Sequence, residues 1–261
     1  MGVLDEIVAH KRSELTGLKA GHPLGALVAA CRGLAPALDF EAALRPPAGE
    51  RVRLIAEVKR GSPSQGLFRA DLDPVAQATI YARAGAAAVS VLTDARYFHG
   101  SLEDLARVRG AVAVPVLRKD FIVEEYQLWE ARAVGADAVL LIVAALEDEA
   151  LRDLLHAAKG VGLATLVEVH TATELDRALR LGAPVIGVNN RDLQTLTTSL
   201  EPSLTLLPQI PPGPLAVSES GLASGADVAR VVAAGAHAVL VGETLLRAGD
   251  VAAKVRELSL R

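Results

Sequence analysis

A glycine that recurs at nearly equal intervals constrains the fold of this chain more than any other feature. A helical pattern, then glycine, then an apolar run is found at Gly85, Gly135, Gly182 and Gly235, which are separated by 50, 47 and 53 residues. Glycine is favoured there because the residue after a helix often adopts a left-handed conformation that other residues avoid. Each interval has room for two strand–helix units, so the sequence predicts a regular alternation of strands and helices.

Eight apolar runs predict strands at residues 54–58, 88–92, 114–118, 138–143, 164–169, 185–189, 214–219 and 238–242. Most segments between them have apolar residues at helical spacing, at 74–84, 101–109, 124–134, 147–159, 171–181, 224–234 and 250–258. Only 190–213 is ambiguous, although Leu200, Leu204 and Leu207 are spaced to form one helical face. Several strands lack alternating polar residues, which is typical of parallel strands covered on both faces.

Eight units averaging about 26 residues predict an α/β fold, a closed (β/α)8 TIM barrel over residues 52–261. The alternative is an open doubly wound sheet. Against that alternative, no GxGxxG motif follows the first strand.

Residues 1–51 have a different pattern. Apolar residues recur at helical spacing over 3–15, a second helical stretch covers 24–32, and the pattern between them is broken at Gly17, Gly21 and Pro23. Helices this short are unstable alone. We therefore expect an N-terminal helical extension packed on the barrel, with the two parts forming one domain.

Composition excludes several classes of protein. With 51% hydrophobic and 22% charged residues the chain is not disordered, and a net charge of −4 without a basic, aromatic-rich stripe argues against a nucleic-acid partner. The single cysteine, Cys31, excludes a disulfide framework and is interpreted as a small apolar filler. No apolar run reaches about 18 residues, and Asp5 and Glu6 stand where a signal peptide is apolar. We expect no membrane partner, a cytoplasmic chain, and a monomer or weak homo-oligomer.

The carboxyl ends of the strands carry the candidate functional residues, because barrel enzymes build their sites there. Glu57 and Lys59 share the strand face of Ile55, which puts both at the mouth above the barrel core. Lys119 ends the third strand, and Glu168 interrupts the fifth, where burying an unpaired carboxylate is costly. These charges predict an acid–base site, with Glu168 as a base or as a partner of the lysines.

Each of these assignments has an alternative. Glu57 and Lys59 can form a solvated pair, and Lys119 can be a rim lysine paired with Asp120. A lysine in a partly desolvated site can have a lowered pKa and act as a general acid or a nucleophile, which is the functional alternative for Lys119. His170 is expected to begin a solvated loop.

Polar and small residues after the last three strands predict an anion site. Asn189 can donate and accept hydrogen bonds, and Arg191 can hold a carboxylate or phosphate or be clasped by Asp192. The runs 218–221 and 242–244 contain small residues. The loops after strands seven and eight of such barrels often bind phosphate through main-chain N–H groups.

Two further features stand near the mouth. The loop 61–66 supplies the hydroxyls of Ser62 and Ser64, either as a lid or as a turn. Phe98 and Phe121 follow the second and third strands, for core packing or for stacking on a flat ring. No histidine or carboxylate cluster has metal-ligand spacing and no Walker loop occurs, so we expect neither a metal nor a nucleotide.

These motifs together resemble the indole-3-glycerol phosphate synthase family of tryptophan biosynthesis. The matching segments are AEVKRGSPSQG (56–66), SVLTDARYFHGS (90–101), PVLRKDFIV (115–123), LVEVH (166–170), IGVNNRDL (186–193), SESG (218–221) and VLVGETLL (239–246). The resemblance implies a (β/α)8 barrel with an N-terminal helical extension. It also implies conversion of 1-(2-carboxyphenylamino)-1-deoxyribulose 5-phosphate to indole-3-glycerol phosphate, with loss of carbon dioxide and water and without a cofactor or metal.

The resemblance also implies site residues by motif position. The catalytic set would be Glu57, Lys59, Lys119, Glu168, Asn189 and Ser220. The substrate and its phosphate would contact Ser62, Phe98, Phe121, Arg191, Glu219, Gly221, Gly242 and Glu243. Glu243 stands where many relatives have a small residue. Since a carboxylate repels phosphate, only its main-chain N–H would serve as a ligand.

In the mechanism that the resemblance implies, Lys119 is the general acid and Glu168 removes a proton. Lys59 and Asn189 hold the substrate carboxylate, and Glu57 positions Lys59. Two alternatives stay open. One is a class I aldolase-like barrel in which Lys119 forms a Schiff base. The other is a catalytically inactive barrel that serves as an interaction module, with a large exposed apolar patch.

Overall fold

The computed structural model describes residues 2–62, 66–67, 69–192 and 195–261 of the chain. Its centre is a closed barrel of parallel strands, in which each strand pairs with the next along the chain and the last pairs with the first. The barrel strands are β1 (Arg53–Val58), β2 (Ala88–Leu92), β3 (Val116–Lys119), β4 (Ala138–Ile142), β5 (Ala164–Val169), β6 (Val185–Asn189), β7 (Leu215–Glu219) and β8 (Ala238–Val241). The predicted (β/α)8 fold is confirmed, and the doubly wound alternative is wrong.

The helices in the described part of the chain are α1 (Val3–Gly21), α2 (Leu24–Cys31), α3 (Phe40–Leu44), α4 (Pro74–Arg83), α5 (Ala95–Phe98), α6 (Leu102–Ala111), α7 (Tyr126–Ala133), α8 (Asp148–Val161), α9 (Ala172–Arg180), α10 (Glu201–Leu206), α11 (Gly225–Ala233), α12 (Glu243–Leu246) and α13 (Val251–Leu258). The ambiguous segment contains α10 and a 3₁₀ turn, Leu207–Gln209. The recurring glycines have φ of 102°, 88°, 73° and 115°, which confirms the left-handed residue after each helix. The short helices α3, α5 and α12 were not predicted.

Strand alternation divides the barrel into two apolar layers. Ile55, Leu117 and Leu166 point inward and pack with Phe40 and Leu44 of α3, which closes the amino-terminal end of the barrel. The alternate strand residues face outward and pack under the helices. Because the lower interior is filled by apolar side chains, inward-facing polar side chains have room only at the carboxyl end.

The amino-terminal helices contact both ends of the barrel. α1 lies at the carboxyl end and α2 packs against α7, where the Cys31 thiol lies 3.6 Å from the carbonyl oxygen of Trp129. The predicted interruption at Gly17 is wrong, since α1 continues to Gly21. Glycine within a helix costs about 1 kcal/mol relative to alanine, which the buried side chains of α1 offset. The division into residues 1–51 and 52–261 stays a prediction.

Among the described residues, none of the helices combines the length and the apolar character needed to cross a membrane.

Candidate active site at the carboxyl end of the barrel

A cavity of about 570 Å³ opens at the carboxyl ends of the strands, partly beneath α1. Every residue singled out as catalytic or substrate-binding lines it: Glu57, Lys59, Ser62, Phe98, Lys119, Phe121, Glu168, Asn189, Arg191, Glu219, Ser220, Gly221, Gly242 and Glu243. The cavity is also lined by residues that were not predicted, Val3, Leu4 and Ile7 of α1 and Arg247. The apolar spacing of α1 indicated a buried face, but not the surface on which that face packs.

Lysine and glutamate side chains form ion pairs in this cavity. The Nζ of Lys59 lies 3.0 Å from Oε1 of Glu57. The Nζ of Lys119 lies 3.4 Å from Oε2 of Glu168 and 3.6 Å from Oε2 of Glu219. All three carboxylates are buried. The alternatives in which these charges form solvated pairs are therefore wrong.

Lys119 faces inward because strand residues alternate in direction. Its neighbour Asp120 points to the outer face, where it accepts hydrogen bonds from Thr93 Oγ1 at 2.7 Å and from Arg118 Nη2 at 3.0 Å. The proposed rim pair of Lys119 with Asp120 is therefore wrong. Asp120 instead braces the outer side of the strand that carries Lys119.

The charge state of Lys119 also differs from expectation. Burial lowers its pKa, but the carboxylates of Glu168, Glu219 and Glu57 outweigh burial, so the pKa of Lys119 is raised above its usual range. The lowered pKa that desolvation can give a lysine is therefore not found for Lys119. The side chain is an ammonium group at neutral pH and is ready to donate a proton.

The two carboxylates beside Lys119 are driven in opposite directions. Burial raises the pKa of Glu219 to about 8, with Glu168 and Glu57 adding to the rise and Lys119 opposing it. Burial also acts to raise the pKa of Glu168, but Lys119 and His170 outweigh it, so that pKa is lowered. In the described residues, neither carboxylate oxygen of Glu219 has a hydrogen-bond partner. Glu168 is thus the ionised member of the pair.

The prediction of a solvated His170 is wrong. Its side chain is only 12% exposed and lies between Glu168 and Glu174. The main-chain N–H of His170 donates to Oε2 of Glu174 at 2.7 Å, which ties the residue to the first turn of α9. The spacing of His170 and Glu174 does not reveal this contact, because it depends on how the loop after β5 turns into α9.

The loops after β7 and β8 form another side of the cavity. Ser220 and Gly221 have successive positive φ values of 67° and 75°, and the side chain of Asn190 donates to the Ser220 carbonyl oxygen at 3.1 Å. Asn190 therefore holds this turn. A Cβ at Gly242 would lie 2.5 Å from Oε1 of Glu57, so glycine is needed there for the carboxylate to keep its place.

Charged side chains surround Glu243 at the rim. Its Oε2 lies 3.7 Å from Nη2 of Arg191, and its Oε1 lies 3.1 Å from Nε of Arg247. The negative charge of Glu243 is therefore offset by two guanidinium groups. In a separate contact, the main-chain N–H of Arg191 donates to Oδ1 of Asn189 at 3.1 Å.

The apolar side of the cavity contains the two phenylalanines. The ring centroids of Phe98 and Phe121 are 6.1 Å apart with the planes tilted by 39°, and both rings are half-buried. The segment after β1 begins and ends in a short antiparallel pair, Gly61–Ser62 with Gly66–Leu67. Ser64 lies outside the described residues. Within those residues there is no group of three or more His, Cys, Asp or Glu side chains arranged to hold a metal ion.

Comparisons with solved structures agree with the barrel fold. Among solved structures, thiamine phosphate pyrophosphorylase from Pyrococcus furiosus matches with a TM-score of 0.61 at 17% identity, over 80% of this chain and 94% of that one. The 3-hexulose-6-phosphate synthase from Salmonella typhimurium matches with a TM-score of 0.61 at 15% identity, over 80% of this chain and 97% of that one. At such identities these matches show the barrel fold alone.

Sequence relatives are much closer. The indole-3-glycerol phosphate synthase of Chlorobium chlorochromatii (strain CaD3) is 50% identical over 245 residues, covering 94% of this chain and 95% of the relative. That of Kineococcus radiotolerans is 50% identical over 260 residues, covering 99% of this chain and 95% of the relative. The model of the family described as indole-3-glycerol phosphate synthase matches residues 4–258. The chain belongs to the indole-3-glycerol phosphate synthase family of carboxy-lyases.

Proposed function

We propose that this chain closes the indole ring of 1-(2-carboxyphenylamino)-1-deoxyribulose 5-phosphate, releasing carbon dioxide and water to give indole-3-glycerol phosphate. The observation that carries the proposal is the convergence of two ammonium groups and three buried carboxylates on one cavity. Membership of the family supplies the reaction. The steps are formation of a bond between the ring carbon and the ketone carbon, loss of carbon dioxide, and loss of the former ketone oxygen as water. The side chains provide the acid and the base for the proton transfers in these steps.

Lys119 is the general acid in this proposal. Its raised pKa keeps it protonated, so it can protonate the ketone oxygen while the ring carbon attacks the carbonyl carbon. Glu168 is the base, because its lowered pKa leaves it ionised and able to take the proton lost during dehydration. A positioned acid or base typically contributes 10²–10⁴-fold to the rate.

Lys59 and Asn189 hold the benzoate carboxylate until it leaves as carbon dioxide. Glu57, 3.0 Å from the ammonium group of Lys59, fixes where that charge lies. The loss of carbon dioxide converts a bound anion into a neutral product. A cation held in place by a buried carboxylate suits both the binding and the release of that group.

The aromatic ring of the substrate packs near Phe98 and Phe121, and the phosphate occupies the opposite side. There it contacts Ser62 and the loops that contain Ser220, Gly221 and Gly242. Glu243 contributes only its main-chain N–H. Arg191 and Arg247 offset the charge of its carboxylate, which reduces the repulsion of the phosphate.

The Schiff-base alternative requires a neutral Lys119. The neighbouring carboxylates of Glu168 and Glu57 favour the ammonium form, which is not nucleophilic. Borohydride added during turnover tests the alternative, because a Schiff base would be trapped as a covalent adduct of Lys119. We expect no adduct. The interaction-module alternative is disfavoured because the charged side chains are retained and share one cavity.

The direct test is incubation of the purified chain with the carboxyphenylamino-deoxyribulose phosphate. We expect a product with indole fluorescence and a mass lower by one carbon dioxide and one water. Unchanged substrate under conditions in which the chain is folded would contradict the proposal.

A further inference from the structure

His170 contacts Glu168 but does not line the cavity. Its Nε2 lies 3.6 Å from Oε1 of Glu168 and its Nδ1 lies 3.4 Å from Oε2 of Glu174. These are ion-pair distances rather than short hydrogen bonds. The imidazole ring thus bridges a carboxylate that lines the cavity and a carboxylate on α9.

The two oxygens of Glu168 face different cations. Oε2 is 3.4 Å from the ammonium group of Lys119, whereas Oε1 is the oxygen that faces His170. Lys119 is the group that changes its charge when it donates a proton in the proposed reaction. A second cation on the other oxygen would therefore keep Glu168 anionic when Lys119 is neutral.

The main chain prepares this arrangement. Thr171 caps α9 by accepting the N–H of Glu174, and Oε2 of Glu174 accepts the N–H of His170 at 2.7 Å. The carboxylate of Glu174 is therefore fixed by the same turn that carries the imidazole. Its side chain is 16% exposed, so it connects the buried ring to solvent.

We propose that His170 is a positioning residue for the catalytic base. As an imidazolium held by Glu174, it orients the carboxylate of Glu168 and keeps that carboxylate ionised. This inference rests on the proposed function, because the role of Glu168 as the base is part of that proposal.

The charged groups around the imidazole ring favour its protonated form. Burial opposes protonation of His170, but Glu174 on α9, Glu168 on β5 and Glu219 on β7 outweigh burial, so the pKa of His170 is raised. Burial acts to raise the pKa of Glu174, but His170 outweighs it and that pKa is lowered. Lys119 approaches from β3 on the far side of Glu168 and acts on that carboxylate in the same direction as His170.

Replacement of His170 should move the pH dependence of activity in one direction. In the acid range in which Glu168 becomes protonated, His170 is already an imidazolium. Removal of that cation raises the pKa of Glu168, and the acid limb of the kcat/KM profile moves to higher pH. Two unit charges at this separation are expected to shift the limb by about one pH unit or more.

The first experiment compares the kcat/KM profiles of the wild type, His170→Gln and His156→Gln. His156 is exposed on α8 and does not line the cavity, so its substitution is the matched control. We expect the acid limb to move upward in His170→Gln alone. A uniform loss of rate with the limb in its wild-type place would reduce His170 to a packing role and overturn the inference.

The second experiment needs no turnover and no His170 variant. The imidazole resonances of the wild type, Glu174→Gln and Glu168→Gln are titrated by NMR. We expect the pKa of His170 in the wild type to lie above the usual value of a histidine side chain, and to fall in both variants. A pKa of His170 at or below that usual value, or one that is unchanged in both variants, would overturn the inference.

The two experiments separate this inference from the proposed function. An active enzyme whose acid limb is unmoved in His170→Gln keeps the function and rejects the role of His170. A wild type that forms no indole rejects the function, and the NMR titration then decides whether the charged bridge exists.

Discussion

Two clusters of buried charged side chains lie on opposite sides of strand β3, and they differ in how completely their charges are paired. The inner cluster faces the cavity and consists of Glu57, Lys59, Lys119, Glu168 and Glu219. The outer cluster lies between the strand, α1 and α7 and consists of Lys11, Asp94, Arg118, Asp120 and Glu130. Three consecutive residues at the end of β3 contribute to the two clusters. Arg118 and Asp120 point outward, whereas Lys119 points inward.

The outer cluster is satisfied by the protein itself. Arg118 Nη2 lies 3.0 Å from Asp120 and 2.8 Å from Glu130, and Lys11 lies 3.0 Å from Asp94 and 3.2 Å from Asp120. Each ion therefore has close partners of opposite sign. Such a network stabilises one arrangement, here the docking of α1 on the barrel.

The charged groups of the inner cluster are similarly buried but have fewer close partners. Its contacts to Lys119 are 3.4 Å and 3.6 Å, and in the described residues the oxygens of Glu219 accept no hydrogen bond. Unmet hydrogen-bonding capacity costs stability but is available to a ligand. Burial of charge alone therefore does not separate the two clusters, whereas incomplete pairing around a cavity distinguishes the one that we propose as catalytic.

Lys119→Ala should give the largest effect and should act on activity. We expect turnover to fall by about 10²–10⁴-fold or more, because the general acid is lost. Stability should change less than activity, because Glu168 keeps His170 as a partner when Lys119 is removed. Steady-state kinetics and a urea titration measure the two quantities, with Lys159→Ala, exposed on α8, as the control. Near-normal turnover would remove Lys119 from the mechanism.

Arg118→Met should act on stability instead. It leaves Asp120 and Glu130 buried without their main cation, which typically costs about 3–5 kcal/mol. Denaturant unfolding measures the loss. The control is Arg152→Met, since Arg152 is 59% exposed and its removal should cost less than about 0.5 kcal/mol. Equal effects of the two variants would show that the outer network is not stabilising.

Lys11→Met should have a smaller effect on stability, about 2 kcal/mol, because Asp120 keeps its contacts with Arg118 and Thr93. It should also raise KM, because Val3, Leu4 and Ile7 of α1 line the cavity. The half-exposed Lys19, which pairs with Glu124 farther along α1, provides the control Lys19→Met. A loss of stability with unchanged KM would separate the docking of α1 from substrate binding.

Glu219→Gln should have the smallest effect, and that effect should depend on pH. The pKa of Glu219 is about 8 in the folded chain and about 4.5 when unfolded, so the folded state binds the extra proton. Wild-type stability therefore falls as pH rises from about 4.5 to 8, and the glutamine variant lacks this fall. We expect the variant to gain more than about 1 kcal/mol relative to wild type between pH 5 and pH 9, measured by urea unfolding. A gain independent of pH would show that Glu219 is not protonated by burial.

Much of the fold could be predicted because its signals are local. The glycines after the helices and the apolar runs fixed the strands to within two residues at each end, since both depend on near neighbours. The short helix α3 was missed because five residues show little periodicity, and its role in closing the barrel depends on contacts with distant strands.

Some features of the candidate site could likewise be predicted from local sequence, and others could not. Glu57 and Lys59 could be placed at the mouth because strand alternation and the barrel rule suffice. The raised pKa of Lys119 could not be predicted, because it depends on carboxylates on other strands. The burial of His170 could not be predicted either, because it depends on how the loop after β5 turns into α9. The docking of Lys11 on Asp94 and Asp120 joins residues more than 80 positions apart, and no local pattern signals it.

We propose that the inner cluster performs the chemistry while the outer cluster maintains the fold. Glu168→Gln separates these two roles when kcat on the carboxyphenylamino-deoxyribulose phosphate and the urea midpoint are measured on the same preparation. We predict that kcat falls by about 10²-fold or more while the midpoint stays within the range of conservative surface variants. Wild-type kcat, or a loss of activity that only matches a loss of folded protein, would contradict the account.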